Sequence, residues 1–382
     1  MESVPRALSG KYCIIGVGHT RYGSLPGMST LAMHVEAIRN AIADARISKD
    51  EIDAVLCKAP TSAFDMGYSL MVAQRIGVVP RVTAVLDQEG ATGISLIGYA
   101  MMCIEAGQCS VAVISYADNP RTGSRHRYAR GHDDNAAFGW FGTPSGYALI
   151  AQRHMYEYGT TSEQLGAISV ACHRHGALNP NAQRQRAITL ADHQASRMIV
   201  DPLRLYDCAL VSDGGAAFIV TSVEHARRMG IEHPVRILGI GQAHPAWDVP
   251  YRDTLTTSGA KRSGEHAFAM AGVEPKDIDV AQIYDCFTIT VLITLEDYGF
   301  CAKGEGGAFV QGGRIELGGE LPINTSGGLL SETGMPGFQL IVEAVRQLRG
   351  ECGPRQVADA ELALVSNQGG IMHTHSTLIL GK

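Results

Sequence analysis

Short runs of apolar residues, each four to eight long, punctuate the chain at 13–18 (CIIGVG), 54–57 (AVLC), 110–115 (SVAVIS), 216–222 (AAFIVTS), 235–241 (VRILGIG) and 362–367 (LALVSN). Bounded by polar or glycine-rich stretches, such runs predict buried strands. Between them lie amphipathic stretches of helical period, LAMHVEAIRNAIADA at 31–45 and LIGYAMMCIEAG at 96–107. Strands alternating with helices predict an α/β fold whose sheets are covered on both faces. Residues 118–202 break the rhythm with RTGSRHRYARGHDD and the polar ALNPNAQRQRAITLADHQ, and predict a large excursion from a compact core.

The pattern also repeats. EAIRNAIADARISKDEIDAV (36–55) returns in outline as RSGEHAFAMAGVEPKDIDVA (262–281), with Ala41, Ala45, Ile52 and Asp53 matched by Ala267, Ala271, Ile278 and Asp279. GISLIGYA (93–100) returns as GFQLIVEA (337–344). Two matches in the same order predict a duplicated α/β unit, residues 1–240 with the excursion and residues 241–382.

Composition narrows the class. The 382 residues are 45% hydrophobic and 18% charged, enough apolar mass for a packed core. Glycine is in excess, 44 residues, which points to many close backbone approaches. A formal charge of −6 gives no reason to expect nucleic acid or an acidic membrane as partner. Nine cysteines without a CxxC spacing argue against a disulfide framework or a zinc site, so no metal is expected. No signal-peptide core and no run of 18 apolar residues appear, and the expectation is a soluble cytoplasmic protein.

Six motifs then occur in order: GVGHTRYG (16–23), CHRHGALNPNAQ (172–183), CALVSDGGAA (208–217), YDCFT (284–288), GEGGAFVQGG (304–313) and NTSGGLLSETG (324–334). Together they resemble the sterol-carrier-protein-thiolase-like branch of the thiolase superfamily, over nearly the whole chain. That resemblance implies a duplicated five-layered αβαβα body with a loop domain, about 118–202, inserted in the first half. It also implies chemistry on carbon–carbon bonds of acyl-coenzyme A thioesters, with the thioester as substrate, no covalently bound cofactor, and a homodimer.

At the catalytic positions the chain departs from a working thiolase. The family's nucleophilic cysteine stands at a helix N-terminus, where the helix dipole and free amides favour the thiolate; here Glu89-Gly90-Ala91-Thr92-Gly93 puts Gly90 in its place. The histidine that activates it would fall near Gly334, and the C-terminal cysteine or histidine is replaced by Ser366-Asn367-Gln368-Gly369-Gly370. Tyr284-Asp285-Cys286-Phe287 has the YDxF form of the steroid side-chain aldolases of the same superfamily. Those relatives lack the cysteine, cleave β-hydroxyacyl-coenzyme A by retro-aldol chemistry, and work with a zinc-ribbon and OB-fold partner called a DUF35 protein. The resemblance therefore nominates Tyr284 and Asp285 as catalytic, and Glu89, Gly90, Thr92, Arg125, Gly334, Asn367, Gly369, Gly370 and His373 as substrate or coenzyme A contacts. Two alternatives stay open: an acyltransferase with an atypical site, and a silent acyl-coenzyme A-binding subunit.

Other candidates carry less. His373 and His375 alternate, which predicts one strand face without a third metal ligand. His19 reads as structural, and His173 and His175 as either coenzyme contacts or loop packing. The basic run of Arg121, Arg125, Arg127 and Arg130 fits either phosphates or a solvated loop. Gly16, Gly18 and Gly23 are not spaced as a dinucleotide fingerprint, and no serine sits in a GxSxG elbow.

Overall fold

A computed structural model describes residues 6–124, 137, 139, 140 and 142–382. Arg125, with His126, Arg127 and Arg130, lies outside the described residues. Eleven strands are described: β1 (Tyr12–His19), β2 (Ala54–Cys57), β3 (Val82–Val85), β4 (Val111–Asp118), β5 (Met198–Val200), β6 (Leu203–Arg204), β7 (Gly214–Ser222), β8 (Val235–Ala243), β9 (Val280–Ile283), β10 (Leu362–Gly369) and β11 (Thr374–Gly381). The larger helices are α1 (Thr30–Ala45), α2 (Tyr68–Ile76), α3 (Thr92–Glu105), α4 (Thr143–Tyr158) and α5 (Ser162–Ala177), then the short α6 (Leu190–Ala195) and α7 (Val223–Arg228). After them come α8 (Ala260–Ala271), α9 (Thr288–Tyr298), the single turns α10 (Gly306–Phe309) and α11 (Gly328–Ser331), and α12 (Phe338–Arg349).

Nine strands form one mixed sheet in the order β3-β2-β4-β7-β1-β8-β11-β10-β9. The order reads alike from both ends. β3, β2 and β4 run parallel, then β7 and β1 turn antiparallel. From the other end β9 and β10 run parallel, Ile323 bridges Ala281 in parallel outside them, and β11 and β8 turn antiparallel. The two series meet only where Tyr12–Ile14 pair with Val235–Ile237.

Helices fill three layers around these series. α1 and α2 cover the outer face of the first, burying Ala37, Ile38, Val55 and Ile219 together. α8 and α9 cover the outer face of the second, with Ala267, Phe268, Leu292 and Ile379. α3 and α12 lie between the two series and bury Ile94, Leu96, Ile97, Phe338, Leu340 and Ile341 against strands of both. The layering is thus α-β-α-β-α, and the fold is the α/β, five-layered body the resemblance implied. Protein surrounds both central helices: α3 has eight buried residues among its first ten, and α12 buries even its polar Gln339, Glu343 and Gln347.

Glycine sets how closely helix meets sheet. A Cβ on Gly16 would stand 2.6 Å from the Ala45 methyl of α1, and one on Gly239 would stand 3.1 Å from the Ala271 methyl of α8. Those alanines are the repeated pair read from the sequence. Strand limits shift by up to three residues from the apolar runs, chiefly because terminal polar residues such as Asp118 and Gln368 continue the ladder, and α3 starts four residues before its predicted stretch. The excursion contains α4, α5, α6 and the β5–β6 pair before the chain returns in β7. Among the described residues no helix is long and apolar enough to cross a membrane.

Candidate active site

Tyr284 stands one residue beyond β9, and its position is fixed by its own main chain. Its N–H donates to Ser366 O of β10 at 2.9 Å, and its carbonyl accepts from Thr290 Oγ1 of α9 at 2.8 Å. The ring then projects toward the turn that opens α3. In that turn Glu89 adopts φ of +52°, a conformation uncommon without glycine. It is held by Asp87 Oδ1, which accepts the Glu89 N–H at 2.7 Å, and by Thr92 Oγ1, which donates to the Glu89 carbonyl at 2.7 Å. Thr92 is therefore a buried clasp of the turn and does not line the cavity.

Gly90 lies at the centre of this arrangement. A Cβ there would stand 2.7 Å from Cε2 and Cζ of Tyr284, and closer still to the Gln368 carbonyl oxygen. The phenol ring and a strand carbonyl together occupy the room a nucleophilic side chain would need. Gly334 differs: a Cβ there would overlap the Leu210 carbonyl and stand 2.6 Å from its carbon, while its N–H donates to Ser212 Oγ at 2.9 Å. Gly334 does not line the cavity; Pro336, two residues on, does.

The cavity around Tyr284 measures about 300 Å³. From the sequence candidates it gathers Glu89, Gly90, Tyr284, Gly369 and Gly370. It adds residues the sequence reading missed: Lys58, Asp87, Tyr147, Cys286 and Gln368. Lys58 follows β2, is 3% exposed, and places Nζ 2.5 Å from Asp87 Oδ2 and 5.7 Å from the Tyr116 ring centroid. Tyr147 comes from α4 in the excursion. Its hydroxyl donates to Gly370 O at 2.7 Å and accepts from Gln368 Nε2 at 2.8 Å, with its ring stacked on Phe287 at 4.4 Å. Burial pushes the Tyr147 phenol well above its ordinary pKa, so it stays protonated. Burial likewise pushes the Cys286 thiol up to about 12, which leaves the one cysteine of the cavity lining a poor nucleophile.

Three candidates sit elsewhere. Asp285 is fully buried, facing away from the cavity lining: its carboxylate accepts from Leu329 N at 2.7 Å and Leu330 N at 3.3 Å and so caps the α11 turn. Burial raises its pKa to about 6 against the pull of those amides. Asn367 faces the head of α12, where Nδ2 donates to Gly337 O at 3.3 Å. His373 packs against Gly370 and donates its N–H to Gly369 O at 2.9 Å, bracing the glycine turn from behind. It precedes β11, whereas His375 is inside that strand on Ser366 Oγ at 2.8 Å, so the expected same-face pair does not form. Among the described residues no cluster of three metal-ligating side chains occurs.

The other three histidine candidates are architectural. His19 meets Arg346 NH1 at 2.8 Å and Asn181 Nδ2 at 3.1 Å, and burial lowers its pKa to about 4. His173 and His175 are buried in α5, the second accepting the Leu317 N–H at 3.1 Å. Lys58 had a signal in the sequence, a lysine ending the apolar run AVLC. Tyr147 had none, since nothing in its surroundings in the chain distinguishes it.

Residues 241–382 match the thiolase C-terminal domain-like family. The chain is 37% identical to a steroid side-chain-cleaving aldolase of Thermomonospora curvata, over 98% of each chain. It is 36% identical to the 17-hydroxy-3-oxo-4-pregnene-20-carboxyl-CoA lyase of Mycobacterium tuberculosis, over 98% of this chain and 100% of that one. An acetyl-CoA acetyltransferase of Methanothermobacter thermautotrophicus is 32% identical over 97% and 99%. Among solved structures, an Ltp2-ChsH2(DUF35) aldolase superposes with a TM-score of 0.89 at 37% identity, over 98% of each chain.

Proposed function

Since the chain belongs to the thiolase superfamily, we propose that it is a carbon–carbon lyase cleaving a β-hydroxyacyl-coenzyme A thioester by retro-aldol chemistry. One observation carries the reading: the Tyr284 ring stands against Gly90, in the room a nucleophile's side chain would need. An acyl-enzyme requires that nucleophile; a retro-aldol does not. A base removes the β-hydroxyl proton, the bond between the α and β carbons breaks, and its electrons pass to the thioester as an enolate. The oxygen-bearing fragment leaves as a ketone or aldehyde. The enolate takes a proton at its α carbon and leaves as a shortened acyl-coenzyme A. The thioester itself is the electron sink, so the step needs no further cofactor.

In this reading Tyr284 handles the hydroxyl proton. An unperturbed phenol near 10 is a weak base at neutral pH, and a nearby ammonium lowers the cost of phenolate. Lys58 is the ammonium of the same cavity and is held by Asp87. We assign it the stabilisation of developing negative charge, together with main-chain amides of Gly90, Gly369 and Gly370. Tyr147, fixed as a protonated donor, orients Gln368 and the glycine turn. The proposal includes the division into halves 1–240 and 241–382, a homodimer, a DUF35 partner as in the aldolase it superposes on, and a cytoplasmic setting.

Incubation with a β-hydroxyacyl-coenzyme A, with and without a DUF35 protein, tests the reading. Release of ketone or aldehyde with shortened acyl-coenzyme A is expected. An acyl-enzyme detected by intact mass after 3-ketoacyl-coenzyme A would replace it with acyltransfer, and binding without turnover would replace it with a silent subunit.

A further inference from the structure

A groove of about 900 Å³ opens between α3 and α8, sharing no lining residue with the Tyr284 cavity. It arises from how the two strand series join. β1 pairs with β8 only as far as Ile237 and then follows β7, while β8 runs on to Ala243 with β11 along one side alone. His266 Nδ1 lies 2.9 Å from the Ile240 carbonyl oxygen, so that carbonyl faces away from β11. Alternation along an antiparallel ladder turns the main-chain N–H and C=O of Gln242 the same way. Such an edge is a template for another chain, and folds usually blunt it with charge, proline or a covering element.

The walls suit an extended chain. Met101 and Met102 of α3 and Met270 of α8 line the groove beside Ile240, and Met102 is 64% exposed. Methionine adapts to varied apolar side chains. On the rim, Glu105 of α3 is already taken by Lys11 Nζ at 2.6 Å and by the Tyr12 hydroxyl. Arg262 of α8 has no such partner among the described residues, so the charge left available on the rim is positive, in a chain of net charge −6.

We infer that this groove receives an extended strand of a partner polypeptide, which pairs with the edge of β8 at Gln242, beside the Ile240 carbonyl that His266 already holds. Alternate apolar side chains lie on the methionines, and a carboxylate of the strand faces Arg262. Main-chain pairing supplies affinity in this mode, and the side-chain positions supply selectivity.

A fluorescein-labelled octapeptide alternating valine and glutamate is the probe, with the valine–lysine octapeptide as control, read by fluorescence anisotropy on the full chain. Saturable binding of the acidic peptide alone is expected. Gln242→Pro removes an N–H that points away from β11, and an edge position tolerates proline; it should abolish binding with an unchanged melting temperature. Arg262→Glu should weaken the acidic peptide about tenfold and admit the basic one. If Gln242→Pro does not fold, Arg262→Glu decides. No saturable binding, equal binding of both peptides, or unchanged affinity in Arg262→Glu overturns the inference. A change in sedimentation of either variant without peptide would assign the edge to a second copy of this chain and overturn it too.

Discussion

Gly90 and Gly334 stand at equivalent points of the repeat, each just ahead of a central helix, α3 and α12, where the resemblance to thiolases leads one to expect a reactive side chain. The two losses are physically unlike. At Gly90 the Tyr284 ring shares the room with the Gln368 carbonyl, and the place opens on a cavity. At Gly334 a carbonyl of the 208–213 segment has closed the room, and the Tyr284 cavity does not reach it. One site exchanged chemistry; the other exchanged chemistry for packing. A glycine at a catalytic position therefore says little until its neighbours are known.

The largest expected effect breaks the chemical side. Tyr284→Phe should lower turnover of a β-hydroxyacyl-coenzyme A by about 10²–10⁴-fold while coenzyme A thioester binding persists, the range for removing a positioned proton-transfer group. A rate within a few-fold of the unaltered protein would remove Tyr284 from the mechanism. Gly334→Ala probes the packing side. With the Leu210 carbonyl in the way, the main chain must shift, and the expected loss is about 3 kcal/mol or more, read as a large fall in melting temperature. Gly90→Ala should cost activity as well as stability, since its methyl meets the Gln368 carbonyl and displaces the Tyr284 ring: turnover falls steeply, whereas Gly334→Ala acts through stability alone. Equal turnover in folded Gly90→Ala and folded Gly334→Ala would erase the distinction drawn between them.

How much of this the sequence carried follows the same division. Local pattern was legible: apolar runs gave the strands, and the repeated alanines of α1 and α8 proved to be the surfaces on which β1 and β8 lie. Motif position was legible too, for Gly90, Tyr284 and the Gly369–Gly370 turn do meet in one cavity. Side-chain direction was not. Asp285 adjoins Tyr284 in the chain, yet successive residues leaving a strand face opposite ways, and its carboxylate finds the α11 amides instead. Tyr147 reaches the cavity from the excursion through tertiary contacts that no local spacing encodes, whereas Lys58 was marked only by its place at the end of the apolar run AVLC.

A further expected effect is a pH dependence confined to the packing side. Glu332, two residues before Gly334, is buried with Oε1 on Asn179 Nδ2 at 3.0 Å and with Glu343 nearby. Burial first, and then the Glu343 charge, raise its pKa from 4.5 to about 8. The folded state thus holds a proton that the unfolded chain releases above about 4.5. The stabilising contribution is complete below that pH and is lost as pH rises through about 8. Glu332→Gln keeps the hydrogen bond and removes the titration, so the unaltered protein should lose on the order of a few kcal/mol relative to it across that window. Denaturant melts of the two proteins at pH 5 and pH 9 check the sign. Because Gly90 and Tyr284 lie on the other side of the comparison, the single-turnover rate with bound thioester should keep the same pH profile in both proteins. A shifted rate profile in Glu332→Gln would mean that the packing side reaches the chemistry after all.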